Sequence, residues 1–349
     1  MQTPNASSKN IPDILSCLGL ILLILSSCGS GTGTIKPHVS QTDSSAVENR
    51  RDLSDIKVGY STPSLNAPFY VVLSEYIKKY TEASGMKFIS ADGQDDIVKQ
   101  VNSIEDLTGS GANVLIVNPL DHKAMVPAVN AAVKSGMPVF IVDSYIDPEA
   151  NYITMVLANN QGNGELAGEW AVKKIGRTKV KAALISGSQG NPVGREKRLG
   201  FVRGFTEAEL MTQGSSDLMI VAQGWGNWTN NGGLKAMEDI LVAHPDINLL
   251  VAENDAMAMG ALKAINEAGK AGDILIAAFD GQKEAYELIK QGKYGATALN
   301  SPEELARLVV EAVVKYLNGQ KRLDKVIYTR PVLITKENVD LYYDPKALF

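Results

Sequence analysis

From Ile56 onward, short apolar runs alternate along the chain with segments that have the 3.6-residue periodicity of helices. The apolar runs are continuous in Val, Ile, Leu and Ala, which is typical of strands that are buried on both faces of a parallel sheet. Ten runs are predicted to be strands: IKVGYS, KFISAD, NVLIVNP, PVFIVDS, ITMVLAN, KAALISGS, LMIVAQG, NLLVAEN, ILIAAFDG and GATALNS. The segments between them, such as MVPAVNAAVKSG and MGALKAINEAGK, complete a series of βα units.

Ten βα units are too many for one open sheet of ordinary width. The pattern therefore predicts an α/β fold class with two doubly wound, Rossmann-like lobes that have parallel sheets of about five strands each. A closed eight-stranded barrel is the alternative. The strand count exceeds eight, and the 349 residues fit two lobes.

The chain begins with an apolar segment that looks like a targeting signal. The run ILSCLGLILLILSSC is shorter than the roughly 20 residues of a membrane span and fits the apolar region of a secretory signal. Its end, Leu25-Ser26-Ser27-Cys28, resembles a bacterial lipobox, which predicts a signal peptide over 1–27 and lipid attachment at Cys28. The alternative is an uncleaved anchor with an incidental cysteine. In either case the globular part lies outside the cytoplasmic membrane.

The next segment, 28–54, consists mainly of Gly, Ser, Thr and charged residues, so we predict a flexible tether. Because both cysteines, Cys17 and Cys28, lie near the start of the chain, the folded part has neither a disulfide nor a cysteine metal site. Three scattered histidines argue against a zinc site, and we expect no cofactor. The net charge is −5 without a long basic run, which excludes a nucleic-acid-binding surface.

Polar residues recur where the predicted strands end. Ligands of open parallel sheets bind beyond the carboxyl ends of the strands. One such residue alone would be explained as a helix cap or a turn residue, but the pattern repeats in both halves of the chain. The residues at these ends are Asn118, Asp143, Asn159, Gly187-Ser188, Asn254-Asp255, Asp280 and Asn300.

Aromatic residues accompany these polar strand ends. Phe69 and Tyr70 follow the first strand, and Trp225 and Trp228 follow a strand of the second half. Carboxylates and amides hydrogen-bond hydroxyl groups, and flat rings cover the C–H face of a sugar. Arg195 is a candidate donor at the start of another helix, unless it forms a surface salt bridge to Glu196 or Glu207.

The segments LNAPFY, VDSYID, GREKRLGF, AHPDINLLVAENDAMAMGALKAI, AAFDG and ATALNSPEELA closely resemble the periplasmic sugar-binding proteins of the ribose-binding type. These proteins are the substrate-binding components of ABC importers. The resemblance spans roughly 56–335, in order. It implies two hinged lobes of the type I periplasmic binding protein fold, 56–158 with 300–330 and 159–299 with 331–349, which close on a sugar.

The resemblance also implies which residues bind the ligand. These are Ser64, Asn66, Phe69, Tyr70, Asp143, Arg195, Trp228, Asn254, Asp280 and Asn300. Two positions depart from the ribose binders: Ser144 stands in place of an arginine, and Ala67 in place of an asparagine. We therefore expect a different pentose, a hexose or a linear polyol as the ligand instead of ribose.

The implied function is that of an extracytoplasmic, membrane-anchored lipoprotein without catalysis, which acts as a monomer and delivers a sugar or polyol to an ABC permease. The alternative is a sugar or autoinducer sensor for a chemoreceptor or sensor kinase. An enzyme is disfavoured because the chain has no G-x-S-x-G, H-E-x-x-H or early G-x-G-x-x-G motif. A repressor is disfavoured because a lipobox and tether occupy the place of a helix-turn-helix.

Overall fold

The computed structural model describes residues 52–176 and 179–349. The predicted signal peptide, Cys28 and most of the predicted tether lie outside the described residues. Strands and helices alternate in the described part, as the apolar pattern predicts. The strands are β1 (Lys57–Thr62), β2 (Lys87–Asp92), β3 (Val114–Val117), β4 (Val139–Val142), β5 (Met155–Leu157), β6 (Val180–Ser186), β7 (Leu218–Trp225), β8 (Leu249–Ala252), β9 (Leu275–Asp280), β10 (Ala296–Leu299), β11 (Val326–Tyr328) and β12 (Leu333–Ile334). The helices are α1 (Pro68–Ala83), α2 (Ile97–Gly109), α3 (Val126–Lys134), α4 (Asn160–Ile175), α5 (Pro192–Gln213), α6 (Asn230–Ala243), α7 (Asp255–Glu267), α8 (Lys283–Lys290) and α9 (Pro302–Leu317).

The strands form two separate six-stranded sheets. The first has the order β11-β5-β4-β3-β1-β2, and the second has the order β12-β10-β9-β8-β6-β7. All pairs are parallel except β10 with β12, which is antiparallel. The predicted α/β fold class with two doubly wound lobes is therefore confirmed. A closed barrel is excluded because each sheet has two open edges.

Each sheet is covered on both faces by helices, which is why its strands are apolar on both sides. The four residues of β3 are fully buried, for example. The first sheet packs against α1 and α9 on one face and against α2 and α3 on the other. The second packs against α6, α7 and α8 on one face and against α4 and α5 on the other. We call these two units the first and the second lobe.

Helices α4 and α5 of the second lobe approach each other unusually closely because glycines face each other at their crossing. A Cβ atom at Gly168 would lie 2.4 Å from the carbonyl oxygen of Phe201, and one at Gly204 would lie 2.2 Å from that of Glu165. These distances leave no room for a side chain. The crossing therefore fixes α5 against the sheet, with the start of α5 beside the carboxyl ends of the strands.

The chain passes between the two sheets in three segments: between β5 and α4, between β10 and α9, and between β11 and β12. Asn163, in the first turn of α4, joins the other two segments. Its amide donates to the carbonyl oxygen of Leu299 at 2.8 Å, and its side-chain oxygen accepts from the backbone N–H of Val332 at 3.1 Å. The exact lobe boundaries, 56–158 with 300–330 and 159–299 with 331–349, remain predictions.

Candidate functional site

A cavity lies where the carboxyl ends of the strands of the two sheets face each other. Its empty volume is about 410 Å³, part of which is open to solvent, and small-molecule sites generally occupy about 300–1,000 Å³. Its walls combine aromatic rings with carboxylate, amide and ammonium groups. The lining residues are Ala67, Phe69, Tyr70, Asp143, Ser144, Asn191, Val193, Lys197, Trp228, Asn254, Asp280 and Asn300.

Seven of the ten residues predicted to bind the ligand therefore line one cavity. They come from both lobes and from one of the connecting segments. Their role as ligand contacts remains a prediction. The seven are Phe69, Tyr70, Asp143, Trp228, Asn254, Asp280 and Asn300.

Three aromatic rings converge on the cavity. Phe69 and Tyr70 lie in the first turn of α1, which begins at Pro68, and their rings are perpendicular with centroids 6.0 Å apart. Trp228 reaches the cavity from the second lobe. Its ring lies against Gly187, where an added Cβ would be 2.0 Å from the indole, and its N–H donates to the hydroxyl of Ser188 at 3.1 Å. Both lobes thus present a ring to the same space.

Three residues of the cavity have a backbone conformation that side-chain-bearing residues rarely adopt. The φ angles are 66° at Asp143, 62° at Trp228 and 106° at Asp280. Such angles cost free energy for non-glycine residues and occur preferentially at functional sites. In this protein they aim one ring and two carboxylates into the cavity.

Asp143 is the carboxylate that the first lobe contributes. It accepts a hydrogen bond from the amide of Asn118 at 3.0 Å, and the amide of Asn300 lies 3.5 Å away. Burial raises the pKa of Asp143 to about 6, against the hydrogen bond from Asn118 and the positive charge of Lys197, which lower it. The side-chain oxygens of Asn118 and Asn300 have no hydrogen-bond partner among the described residues. Of the two, Asn300 lines the cavity beside Asp143, so its oxygen is free to accept from a hydroxyl group.

The second lobe contributes a buried ion pair. The ammonium of Lys197 donates to a carboxylate oxygen of Asp280 at 2.8 Å and to the backbone oxygen of Glu253 at 2.9 Å. It also lies 5.6 Å from the centre of the Trp228 ring. Only 2% of the Lys197 side chain is exposed. Lys197 therefore orients the second carboxylate and supplies the one positive charge among the residues that line the cavity.

The structure does not place the predicted Arg195 in the cavity. Arg195 is exposed, and Lys197, which sequence reasoning missed, takes its place. Residues two apart on an α-helix point about 200° apart, so Arg195 and Lys197 lie on opposite faces of α5. Val193, Lys197 and Phe201 follow one another at intervals of four residues, so they lie on the same face of α5. The apolar residues on either side of Lys197 are the signal that could have identified this inward face.

Ser64 and Asn66 also lie outside the cavity lining. The hydroxyl of Ser64 donates to a carboxylate oxygen of Asp95 at 2.8 Å, and the amide of Asn66 donates to the same oxygen at 3.1 Å. Both side chains thus hold the β1–α1 loop in shape. The loop presents Ala67 to the cavity instead.

Asn254 lines the cavity while it also supports the local fold. Its side-chain oxygen accepts from the backbone N–H of Met257 at 2.8 Å, which caps α7. Its amide donates to the backbone oxygen of Trp228 at 3.0 Å. Asn254 therefore holds the backbone of Trp228 in its unusual conformation.

Two features are absent from the described part of the chain. Residues 52–176 and 179–349 contain no group of three or more His, Cys, Asp or Glu side chains arranged to hold a metal ion. None of the helices in these ranges combines the length and the apolar character required to cross a bilayer.

Two doubly wound lobes around a polar cavity lined with aromatic rings define the class of two-lobed binding proteins. The chain belongs to the periplasmic binding protein family, because the model of the periplasmic binding protein domain matches residues 58–321.

The chain is similar to the ribose import binding protein RbsB of Bacillus subtilis, with 36% identity over 273 residues, 78% of this chain and 85% of the relative. Its fold is similar to that of an ABC transporter solute binding protein from Mycobacterium smegmatis with bound glycerol. That match has a TM-score of 0.77 and 32% identity, and it covers 84% of this chain and 98% of the other. A periplasmic solute binding protein from Actinobacillus succinogenes with bound D-allose matches with a TM-score of 0.75 and 27% identity, and covers 82% of this chain and all of the other.

Proposed function

We propose that this protein is the extracytoplasmic substrate-binding component of an ABC sugar importer and that it holds a monosaccharide or polyol in the cavity between its lobes. One observation carries the proposal: rings, carboxylates and amides from both lobes line a single small cavity. The relatives named above, which are import binding proteins or solute binding proteins with glycerol or D-allose bound, support the same class of ligand.

The chemistry of the lining suits a hydroxyl-rich guest. Asp143 and Asp280 accept hydrogen bonds, while the free oxygen of Asn300 adds a further acceptor beside Asp143. Hydrogen bonds to charged groups contribute about 1.5–3 kcal/mol each. A ligand that contacts both lobes stabilises the closed state, because it can touch both lobes at once only when they are closed. Release to a permease then requires the lobes to open.

The lining also favours a ligand other than ribose, as the sequence predicts. Ser144 and Ala67 are small residues at the cavity wall, where the ribose binders that the chain resembles carry larger polar side chains. Small side chains leave space for a bulkier guest and remove hydrogen-bond donors. We therefore place hexoses, other pentoses and linear polyols ahead of ribose.

The test is a binding panel of pentoses, hexoses in both ring forms and linear polyols, measured by calorimetry and thermal shift on the purified protein. A true ligand at 100 times its Kd stabilises the fold by about 2.7 kcal/mol. Trp228→Ala should weaken binding of that ligand. Trp225→Ala is the matched control, because Trp225 is 40% exposed and does not line the cavity. If the folded protein binds no member of the panel, the proposed ligand class is wrong.

We also propose that the protein is held at the outer face of a membrane by lipid at Cys28, which lies outside the described residues. The lipobox-like sequence before Cys28 supports this anchor. Cys28→Ala should release the protein from the membrane fraction. Cys17→Ala, eleven positions earlier, should leave it bound. If the Cys28 variant still partitions with lipid, the cysteine is not the anchor.

A further inference from the structure

The segment that follows β12 is attached to the second lobe. It forms a 3₁₀ turn at Val339–Leu341. The hydroxyl of Tyr343 donates to the carboxylate of Glu287 at 3.0 Å, and the ammonium of Lys290 lies 4.5 Å from the centre of the Tyr343 ring. Both partners belong to α8, so the tail begins on this helix of the second lobe.

The tail then passes close to the cavity. The ammonium of Lys283 donates to the backbone oxygen of Ala347 at 2.9 Å. Lys283 is the first residue of α8 and follows the cavity residue Asp280 by three positions. Residues 344–349 are therefore tied to the second lobe beside the carboxyl end of β9.

The last residue of this segment contacts the first lobe. The ring of Phe349 is perpendicular to that of Phe69, with centroids 5.6 Å apart, and it packs against the apolar cluster of the first lobe. Phe69 in turn contacts Tyr70 edge to face, and both rings line the cavity. Three rings thus form a continuous series from the tail to the wall of the cavity.

We infer that residues 344–349 form a strap between the two lobes and that Phe349 positions the cavity ring Phe69 while it favours the closed state. The inference rests on the proposed function for its link to ligand affinity. The strap differs from the three connecting segments because it joins the lobes through a side-chain contact. The contact between Phe349 and Phe69 is not covalent, so this contact breaks if the lobes separate. Aromatic pairs of this geometry change an equilibrium constant by about 2- to 10-fold.

The test compares Phe349→Ala with Leu348→Ala, whose side chain is 56% exposed, and with the conservative Phe349→Tyr. With the ligand found in the panel, Phe349→Ala should raise Kd by about 2- to 10-fold, mainly through faster dissociation, at an unchanged ligand-free melting temperature. Leu348→Ala and Phe349→Tyr should bind as the parent does. An unchanged Kd, an equal loss in Leu348→Ala, or a matching fall in the ligand-free melting temperature would overturn the inference.

A second measurement needs no ligand. Spin labels at positions 98 and 242, where the valines are 67% and 87% exposed on the first and second lobe, report the distance between the lobes once Cys17 and Cys28 are replaced by alanine. Phe349→Ala should shift the ligand-free distribution towards longer distances, and Leu348→Ala should not. If the panel yields no ligand and this shift occurs, the strap stands and the proposed function fails. Identical distributions would contradict the strap even if a sugar binds.

Discussion

Asp143 lines the cavity at a cost in stability. Burial raises its pKa from 3.8 to about 6, so the folded protein holds this proton more tightly than the unfolded chain. Between these two pKa values the unfolded chain loses the proton first, and the contribution of Asp143 to stability falls as the pH rises. The ionised side chain therefore opposes folding at neutral pH.

Asp143→Asn should accordingly raise the free energy of unfolding of the ligand-free protein at pH 7.5, by about 1–3 kcal/mol, and should weaken ligand binding. Asparagine tolerates the positive φ of this position, and the unpartnered oxygen of Asn300 offers its new N–H group an acceptor. Urea unfolding at pH 4, 5.5 and 7.5 checks the sign. The gain should shrink towards pH 4, and a gain independent of pH would contradict the electrostatic explanation.

Lys197 pairs with Asp280 and orients its carboxylate, so removal of Lys197 should cost both stability and binding. Lys197→Met leaves the Asp280 carboxylate without its cation, and breaking one side of a buried pair costs about 3–5 kcal/mol. Arg195→Met is the matched control on the exposed face of α5 and should change stability by no more than about 0.5 kcal/mol. Urea unfolding of both variants gives the comparison. Equal effects would mean that the ion pair contributes little.

At this scale, sequence reasoning located the residues whose position follows from strand ends. Asp143, Asp280 and Asn300 come directly after recognisable apolar runs, so the edge of the sheet fixes them. Lys197 lies inside a helix, where an error of two residues reverses the direction of the side chain. The contacts of Ser64 and Asn66 with Asp95 could not be predicted either, since they depend on how two loops meet.

At the scale of elements, the crossing of α4 and α5 depends on glycine. Gly168→Ala should destabilise the protein by about 1–3 kcal/mol, because the new Cβ would lie 2.4 Å from the carbonyl oxygen of Phe201. The gain in helix propensity, about 1 kcal/mol, is too small to offset this overlap in full. Gly109→Ala is the control, since no atom lies within 4 Å of its added Cβ, and it should be neutral or stabilising. Thermal unfolding of both variants measures the difference in stability. Similar effects of the two substitutions would contradict the packing argument.

Element prediction succeeded where the apolar runs are long and failed where they are short. All ten predicted strands exist, because continuous burial on both faces leaves a clear pattern. Two strands, β11 and β12, were not among the ten. They have three and two residues respectively, too few to show any periodicity, and they are defined by pairing with β5 and β10. Such edge strands depend on tertiary context.

At the scale of the whole molecule, side-chain contacts join the first lobe to groups of the second lobe. The ring of Phe349 contacts the ring of Phe69. The hydroxyl of Tyr145, which follows β4 in the first lobe, donates to a carboxylate oxygen of Glu196 on α5 at 2.6 Å. Both contacts join groups of the two lobes, so both would be lost when the lobes separate. A ligand spends less of its binding free energy on closing the lobes when contacts within the protein already favour the closed state.

The Tyr145–Glu196 hydrogen bond should therefore set part of the ligand affinity without setting the stability of either lobe. Tyr145→Phe removes the donor alone, and a hydrogen bond to a charged group contributes about 1.5–3 kcal/mol at most, less for a half-exposed pair. We expect Kd to rise by about 3- to 10-fold through faster dissociation, measured by calorimetry and stopped-flow, with the ligand-free melting temperature unchanged. Tyr342→Phe, at a tyrosine that is 41% exposed, is the control and should bind normally.

Because Tyr145 and Phe349 act on the same opening motion through separate contacts, the double variant Tyr145→Phe with Phe349→Ala should show the product of the two single effects. A double variant no weaker than either single one would mean that the two contacts do not hold the lobes together independently.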